Sequence, residues 1–171
     1  MSRSIIPILV VIMLVALISA QCTITHRWPI GEVRIELIPP LLLYMAFTLN
    51  LPISLLLGLL AATLYDSFSG GPFGASLVPY IASVSLFCAV RPIFFRNRIT
   101  TQLITGFLSA WITLILQWIL SGKAMYSWHN VFPKLLRLSL LCSVLAVIYF
   151  TVLDAMARGM GQEPGRFNED E

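Results

Sequence analysis

The segment Leu64-Tyr65-Asp66-Ser67-Phe68-Ser69-Gly70-Gly71-Pro72-Phe73-Gly74 separates two long apolar runs near the middle of the chain. It brings together an acid, two serines, three glycines and a proline, whereas the runs on either side are mainly aliphatic. Glycine, proline and serine favour turns, each for its own conformational or hydrogen-bonding reason. The segment therefore predicts a compact turn, and the nature of the two flanking runs decides the fold.

The composition of the whole chain indicates that these runs lie in a lipid bilayer. Of the 171 residues, 58% are hydrophobic and only 11% are charged, and the mean hydropathy is +0.87. A soluble chain carries about 25% charged residues, and apolar runs recur here from end to end. The net charge of +3 comes from basic residues in short pieces between these runs, so it does not indicate a nucleic-acid partner.

The apolar runs predict an all-α integral membrane protein, a single transmembrane domain over residues 1–171. A polar tail at 159–171 is expected to be disordered and cytoplasmic. The region 37–66 is long for one span and short for two, and Pro52 in its middle disfavours a continuous helix. This favours a short helical hairpin, although one bent helix stays open. The six expected helices cover residues 5–20, 37–49, 51–66, 74–90, 101–121 and 135–157.

The basic residues give an orientation for this six-helix bundle. With the N-terminus in the cytoplasm, six of the eleven basic residues lie inside and five outside. A five-helix arrangement leaves four of the eleven inside and seven outside, against the tendency of cytoplasmic loops to be rich in Lys and Arg. We therefore expect both termini in the cytoplasm and Asp66 on the outer side.

Small residues recur every four positions along the helix that precedes the turn. Ser54, Gly58 and Ala62 share one face, and Asp66 continues it. In lipid, a face of this kind lets a neighbouring helix approach closely. An aspartate at a helix C-terminus meets the negative end of the macrodipole, so Asp66 needs a partner, a proton or water. Either Asp66 belongs to a capped hairpin, or it is an ionisable group with a function in the membrane.

The turn itself has a predicted geometry. Gly70 or Gly71 is expected to adopt the positive φ that ends a helix, and either serine of the segment can bond freed backbone groups. Pro72 suits the first position of the next helix. Gly74 is expected to let that helix start close to its neighbour.

These residues resemble the signature of the MreD family, the bacterial rod-shape-determining membrane proteins. That family has a G-x(n)-D-x-x-S-G-x-x-x-G segment joining two central helices, and Asp66, Ser69, Gly70 and Gly74 occupy the matching positions. Residues 94–97, Phe-Phe-Arg-Asn, resemble the aromatic-basic end of the following helix. The resemblance spans most of the chain, with about 45 specific residues in its middle.

The resemblance implies a non-enzymatic scaffold of the cell-elongation complex in the bacterial inner membrane. Its expected partner is an MreC-like protein with one transmembrane helix and an outer β-rich domain. Through that complex, MreB filaments would be coupled indirectly to a RodA-type glycosyltransferase and its penicillin-binding transpeptidase. The residues expected to pack helices or to meet a partner are Ser54, Gly58, Ala62, Asp66, Ser69, Gly70, Gly71, Pro72 and Gly74.

The main alternative is a substrate-binding subunit similar to the S components of energy-coupling-factor transporters, which are also six-helix proteins of this length. Residues 16–20, Ala-Leu-Ile-Ser-Ala, carry the small-xxx-small pattern that such subunits use to meet a coupling subunit. No catalytic motif, phosphate loop or metal motif is recognisable, so we expect no catalytic residues, cofactor or metal.

Three other patterns have ordinary interpretations. The stripe Thr101, Thr105, Ser109 and Thr113 is expected to be a helix-packing face, with hydroxyls bonded to carbonyls of their own helix. Arg158 lies four residues after Asp154, and the two side chains are expected to form a stabilising pair of opposite charges. The alternating residues 32–37 either pair with a strand of the partner or dip into the headgroups as a loop.

Overall fold

The computed structural model describes residues 5–27, 37–69, 74–93, 98–120 and 128–159. All the regular elements in these ranges are helices, as expected, with a 3₁₀ turn at Arg91–Ile93. A break at Leu49 and Asn50 divides the region 37–66 into two helices. The second of them is longer than the predicted short hairpin, since it continues to Ser69. The six α-helices are α1 (Ile5–Arg27), α2 (Ile38–Thr48), α3 (Leu51–Ser69), α4 (Leu77–Val90), α5 (Ile99–Leu120) and α6 (Trp128–Gly159).

Three stretches of these helices are long and apolar enough to cross a membrane: Leu51–Ser69, Ile99–Gln117 and Leu135–Gly159. Large apolar side chains cover the outer surface of the described helices; Ile12 and Leu56, for example, are each 65% exposed. Water would oppose so much exposed apolar surface, whereas lipid tails accept it. The chain is therefore a membrane protein by the length and composition of its helices.

The centre of the fold is α2. All eleven of its residues are buried, and it contacts each of the other five helices. A helix that is apolar on every side is stable only when it is enclosed. With about 1.5 Å of rise per residue it is only about 16 Å long, roughly half the thickness of the hydrocarbon core. The other helices therefore enclose a half-length helix.

The first turn of α2 has few free backbone donors. Pro39 and Pro40 occupy its first positions and carry no N–H. The N–H of Leu37, just before the helix, donates to Oε1 of the buried Gln21 at 2.9 Å. A side chain of α1 thus accepts a backbone N–H at the start of α2. This bond is needed because no water reaches buried backbone groups in lipid.

Side chains from other segments donate hydrogen bonds to the backbone carbonyl groups at the end of α2. Leu49 adopts an extended conformation and ends the helix, which frees carbonyl groups that must find donors. The guanidinium of Arg91 also brings positive charge to the negative end of the helix dipole. The three bonds are Ser54 Oγ to the Met45 carbonyl at 3.0 Å, Cys88 Sγ to the Ala46 carbonyl at 3.6 Å, and Arg91 Nη1 to the Leu49 carbonyl at 3.0 Å.

Contacts between helices fix their directions. Cys88 bonds to Ala46, and Arg91, three residues later, bonds to Leu49, which is also three residues later. The two helices α2 and α4 therefore run parallel. Gly106 of α5 lies against Ala146 of α6, whereas Trp111, later in α5, contacts Phe132, earlier in α6. These two helices are therefore antiparallel. One end of the bundle, here called the Arg91 end, contains the C-termini of α2, α4 and α6 and the N-termini of α3 and α5. The opposite end is here called the Asp66 end.

Some predicted helix boundaries were wrong. α6 begins at Trp128, seven residues before the predicted 135, and so includes Pro133, whose missing N–H removes one backbone bond. α4 begins at Leu77 rather than 74, and α1 continues to Arg27. Gly159 is the last residue of α6, and the rest of the expected tail, 160–171, lies outside the described residues, as do residues 32–36 and 94–97.

Candidate functional site

The stripe of small residues on α3 faces the interior of the protein. Ser54 and Ala62 are fully buried, and Gly58 is buried with them. A Cβ added to Gly58 would lie 3.3 Å from Cγ2 of Val84, which shows how closely α3 and α4 approach there. The chain's own helices thus cover this face, and a partner could meet only the other sides of α3.

Asp66 lies at the end of the same stripe and is 4% exposed. Its Oδ2 accepts the backbone N–H of Gly74 at 2.8 Å. The backbone N–H of Ser76 donates to both carboxylate oxygens, Oδ1 and Oδ2, at 3.3 Å each. The side chain at the end of α3 therefore binds the backbone just before α4.

This arrangement explains how a buried acid is tolerated at a helix C-terminus. The negative end of the α3 dipole opposes a carboxylate, but the positive N-terminus of α4 attracts one. Ser76, immediately before α4, makes no capping bond with its own side chain. Asp66 supplies the missing acceptor from the preceding helix. Of the three options that the sequence left open for Asp66, a partner, a proton or water, the structure shows a partner, the chain's own backbone.

Gly74 serves the turn through its backbone conformation. Its φ is +94°, a value that residues with a Cβ rarely adopt. A Cβ added there would meet nothing within 4 Å. The expectation that Gly74 permits close helix approach is therefore wrong, since the requirement is conformational, and it directs the N–H of Gly74 to Asp66.

Replacing Gly74 with alanine should consequently destabilise the protein only by backbone strain. We expect a loss of about 1 kcal/mol, within the range for placing a Cβ at positive φ. Thermal unfolding in detergent would measure it, with Ala75→Gly, an exposed neighbour in the same turn, as the control for added chain flexibility. A loss of several kcal/mol would mean that the site is sterically closed.

The two serines of the segment, Ser67 and Ser69, make hydrogen bonds within α3. Ser67 Oγ donates to the Thr63 carbonyl at 2.7 Å, and Ser69 Oγ contacts the Asp66 carbonyl at 3.5 Å. Both serines thus bond to the backbone of their own helix. Gly70, Gly71 and Pro72 lie outside the described residues.

The hydroxyl stripe on α5 is a packing face, as predicted. Thr105, Ser109 and Thr113 are buried, and each donates to a carbonyl three or four residues earlier. Thr113 also shares a hydrogen bond of 3.0 Å with Ser83 of α4. These bonds leave the hydroxyls engaged within the helix bundle rather than lining a ligand path.

A second polar contact, which sequence reasoning missed, lies between α2 and α6. The hydroxyl of the buried Tyr44 donates to Oδ1 of Asp154 at 3.1 Å. Arg158 Nε, expected to pair with that carboxylate, donates instead to the backbone carbonyl of Asp154 at 3.2 Å. No local pattern links Tyr44 to a residue 110 positions away, so only the assembled fold could reveal this contact.

The chemistry of these groups is that of hydrogen bonding and packing. Within the described ranges, no three His, Cys, Asp or Glu side chains form a group that could hold a metal. Cys88 and Cys142 are buried and are not in a disulfide. No protein-family model, curated protein or solved structure matches the chain. Its function must therefore be inferred from the hairpin of α3 and α4 and from the residues that build it.

Proposed function

We propose that this protein is a non-enzymatic scaffold of the bacterial cell-elongation complex and a member of the MreD family. It binds an MreC-like protein with a single transmembrane helix and helps to couple MreB filaments, indirectly, to a RodA-type glycosyltransferase and a penicillin-binding transpeptidase. The observation that carries the proposal is the bond between Asp66 and Gly74. Two positions of the family-like segment, eight residues apart, thus form one structural unit, which gives their spacing a physical reason.

The proposed orientation places the Arg91 end in the cytoplasm. Gln21, late in α1, contacts Leu37 before α2, so α1 begins at the Arg91 end, where α6 also finishes. Arg91, Arg98 and Arg158 belong to that end, and Arg27, Lys134 and Arg137 lie toward the other. The orientation therefore rests on the count over the whole chain, six basic residues against five, because cytoplasmic segments favour Arg and Lys. The arrangement supports both termini in the cytoplasm of the inner-membrane protein and the Asp66 turn on the outer side.

The test is a mild-detergent pull-down of the tagged protein from its native membrane, followed by identification of the proteins that copurify. Recovery of an MreC-like protein, a RodA-type enzyme or a penicillin-binding transpeptidase is the expected result. Recovery of an ATPase and a coupling subunit, without wall-synthesis proteins, would overturn the proposal and favour the transporter-subunit alternative.

A pair of neighbouring variants asks whether assembly depends on the α3–α4 contact. Gly58→Leu adds a side chain where a Cβ already lies 3.3 Å from Val84, so we expect less folded protein and less recovered partner. Leu59→Ala removes a side chain that is 44% exposed and should leave both unchanged. Wild-type recovery of the partner in both variants would contradict a role for this helix contact in assembly.

A further inference from the structure

The exposed side of α6 carries a charged group inside its apolar stretch Leu135–Gly159. Arg137, the third residue of that stretch, is exposed, and Leu140, three residues on, is 53% exposed. Across the described ranges, no hydrogen bond or ion pair involves the Arg137 side chain, whereas Arg91 and Arg158 donate to backbone carbonyls. A cation on a lipid-facing surface is costly unless it reaches an anion or water.

Arg137 lies on the side of α6 that faces away from the bundle. Ala146 marks the inner side, since it is fully buried and lies against Gly106 of α5. Nine residues separate Arg137 from Ala146, and at 3.6 residues per turn they stand on opposite sides of the helix. Val144 and Ile148 share the side of Arg137 and are 55% and 47% exposed. The anion that Arg137 needs must therefore come from outside this bundle.

The spacing of two arginines along α6 matches the thickness of a bilayer. Arg158 lies 21 residues after Arg137, about 31 Å along the helix, and the hydrocarbon core is about 30 Å thick. The hydroxyl of the exposed Thr151, between them, donates to the Val147 carbonyl of its own helix. The large exposed side chains between the two arginines are apolar: Leu140, Leu141, Val144, Ile148, Val152 and Met156. The two arginines therefore fit the two boundaries of the hydrocarbon core.

The chemistry of Arg137 at such a boundary favours a phosphate. Side chains on a helix lean toward its N-terminus, and α6 begins at the Asp66 end, so Arg137 leans toward the headgroups. A guanidinium offers a planar set of donors that fits two oxygens of one phosphate. Contact with one phosphate needs no net positive charge at that end, where Glu32 and Glu36 also follow α1 in the sequence.

A second copy of the chain is a poorer source of the anion. Among the described residues, the carboxylates are Asp66, which is buried, and Asp154, which is half-buried and accepts the Tyr44 hydroxyl. Neither carboxylate is exposed on a helix face where Arg137 of another copy could meet it. Lipid phosphates, by contrast, lie all around the protein at the depth where Arg137 ends its apolar face.

We propose that Arg137 binds the phosphate of a glycerophospholipid in the leaflet at the Asp66 end, with an acyl chain lying along Leu140, Val144 and Ile148. The contact fixes the depth of α6 in the bilayer. Residues 128–136 then extend about 13 Å beyond the hydrocarbon core. The phosphate is the group recognised, so choline and glycerol headgroups serve equally, and the contact is independent of the identity of the protein partner.

The test uses the full-length protein, labelled with ¹³C at the arginine Cζ atoms and reconstituted in phosphatidylcholine bilayers in a phosphate-free buffer. Solid-state NMR with ¹³C–³¹P dephasing detects arginine carbons close to phosphorus. Subtracting the spectrum of Arg137→Gln from that of the wild type isolates the Arg137 carbon. We expect this signal to be dephased at a Cζ–P distance of about 4 Å, which corresponds to N–O distances of about 2.8 Å.

The matched control is Leu141→Gln, which places the same amide one turn along the exposed side of α6 and removes no arginine. It should keep the dephased signal of the wild type. Equal melting temperatures of the three proteins are expected, because both substituted side chains are exposed.

Four results would overturn the proposal. The first is an Arg137 signal that is not dephased, and the second is an equal loss of dephased signal in Leu141→Gln. The third is dephasing by millimolar inorganic phosphate in bilayers of digalactosyldiacylglycerol, which contain no phosphorus, since it would assign Arg137 to a free anion. The fourth is an undephased signal together with loss of a copurifying protein from Arg137→Gln in native membranes, which would assign Arg137 to an acidic partner.

Discussion

Replacing Gly106 with alanine should lower the free energy of unfolding by about 2–3 kcal/mol, although alanine is the better helix former. The added Cβ would lie 2.6 Å from Cβ of Ala146 and 3.1 Å from the Cα of Ser143. The second of these contacts is to backbone, which cannot move aside as the end of a flexible side chain can. α5 and α6 would have to separate, with loss of packing along their interface.

A second substitution tests the cause of that loss. Ala146→Gly removes the closest atom, so Gly106→Ala combined with Ala146→Gly should recover part of the stability, with the contact to Ser143 remaining. Gly159→Ala, at the C-terminal end of α6, is the control for an added methyl group without contacts, because a Cβ there meets nothing within 4 Å. Thermal unfolding of the wild type, the two single variants and the double variant in one detergent measures the coupling. Additive effects of the two substitutions would mean that the residues do not share this contact.

Much of the helical architecture follows from the sequence because its signals are local. Apolar runs in a chain with few charges require helices, since only a helix satisfies its own backbone in lipid. Pro52 marked the break between α2 and α3 for the same reason. The start of α6 was placed seven residues too late, and the helix extends through Pro133, a residue that disfavours a helix interior.

The enclosure of α2 was not predictable, since it depends on contacts between distant parts of the chain. The composition of residues 38–48 is that of any apolar helix, exposed to lipid or buried in protein. What distinguishes α2 is that Gln21, Ser54 and Arg91 reach its two ends. A buried glutamine and an arginine directly after a helix are weak signals by themselves, and only their positions relative to α2 give them meaning.

The candidate site was predicted in part. The stripe spacing correctly placed Ser54, Gly58, Ala62 and Asp66 on one face of α3. The dipole argument left a partner, a proton or water open for Asp66, and the structure shows a partner. The identity of that partner was missed, because backbone N–H groups leave no trace in the sequence. In this chain, the acid at the end of α3 binds the N–H of a glycine eight residues later, and that glycine adopts positive φ.

Replacing Asp66 with alanine is expected to have the second large effect, a loss of about 3 kcal/mol in the free energy of unfolding. The N–H groups of Gly74 and Ser76 would lose their acceptor, and Ser76 is buried, as is Asp66 at 4% exposure. Asp66→Asn keeps one acceptor oxygen and should cost about half as much. Ser67→Ala, one residue away and exposed, should change the stability little. Thermal unfolding in detergent compares the three.

The same variants separate two roles for the carboxylate. If Asp66 positions the start of α4, the amount of copurifying partner should fall in proportion to the amount of folded protein, with Asp66→Asn between the wild type and Asp66→Ala. The burial of Asp66 and its bonds to Gly74 and Ser76 favour this outcome, since few of its atoms can reach a partner. If Asp66→Asn were as stable as the wild type and still lost the partner, the carboxylate would have to contact that partner directly, and the hairpin would have to open for it to do so.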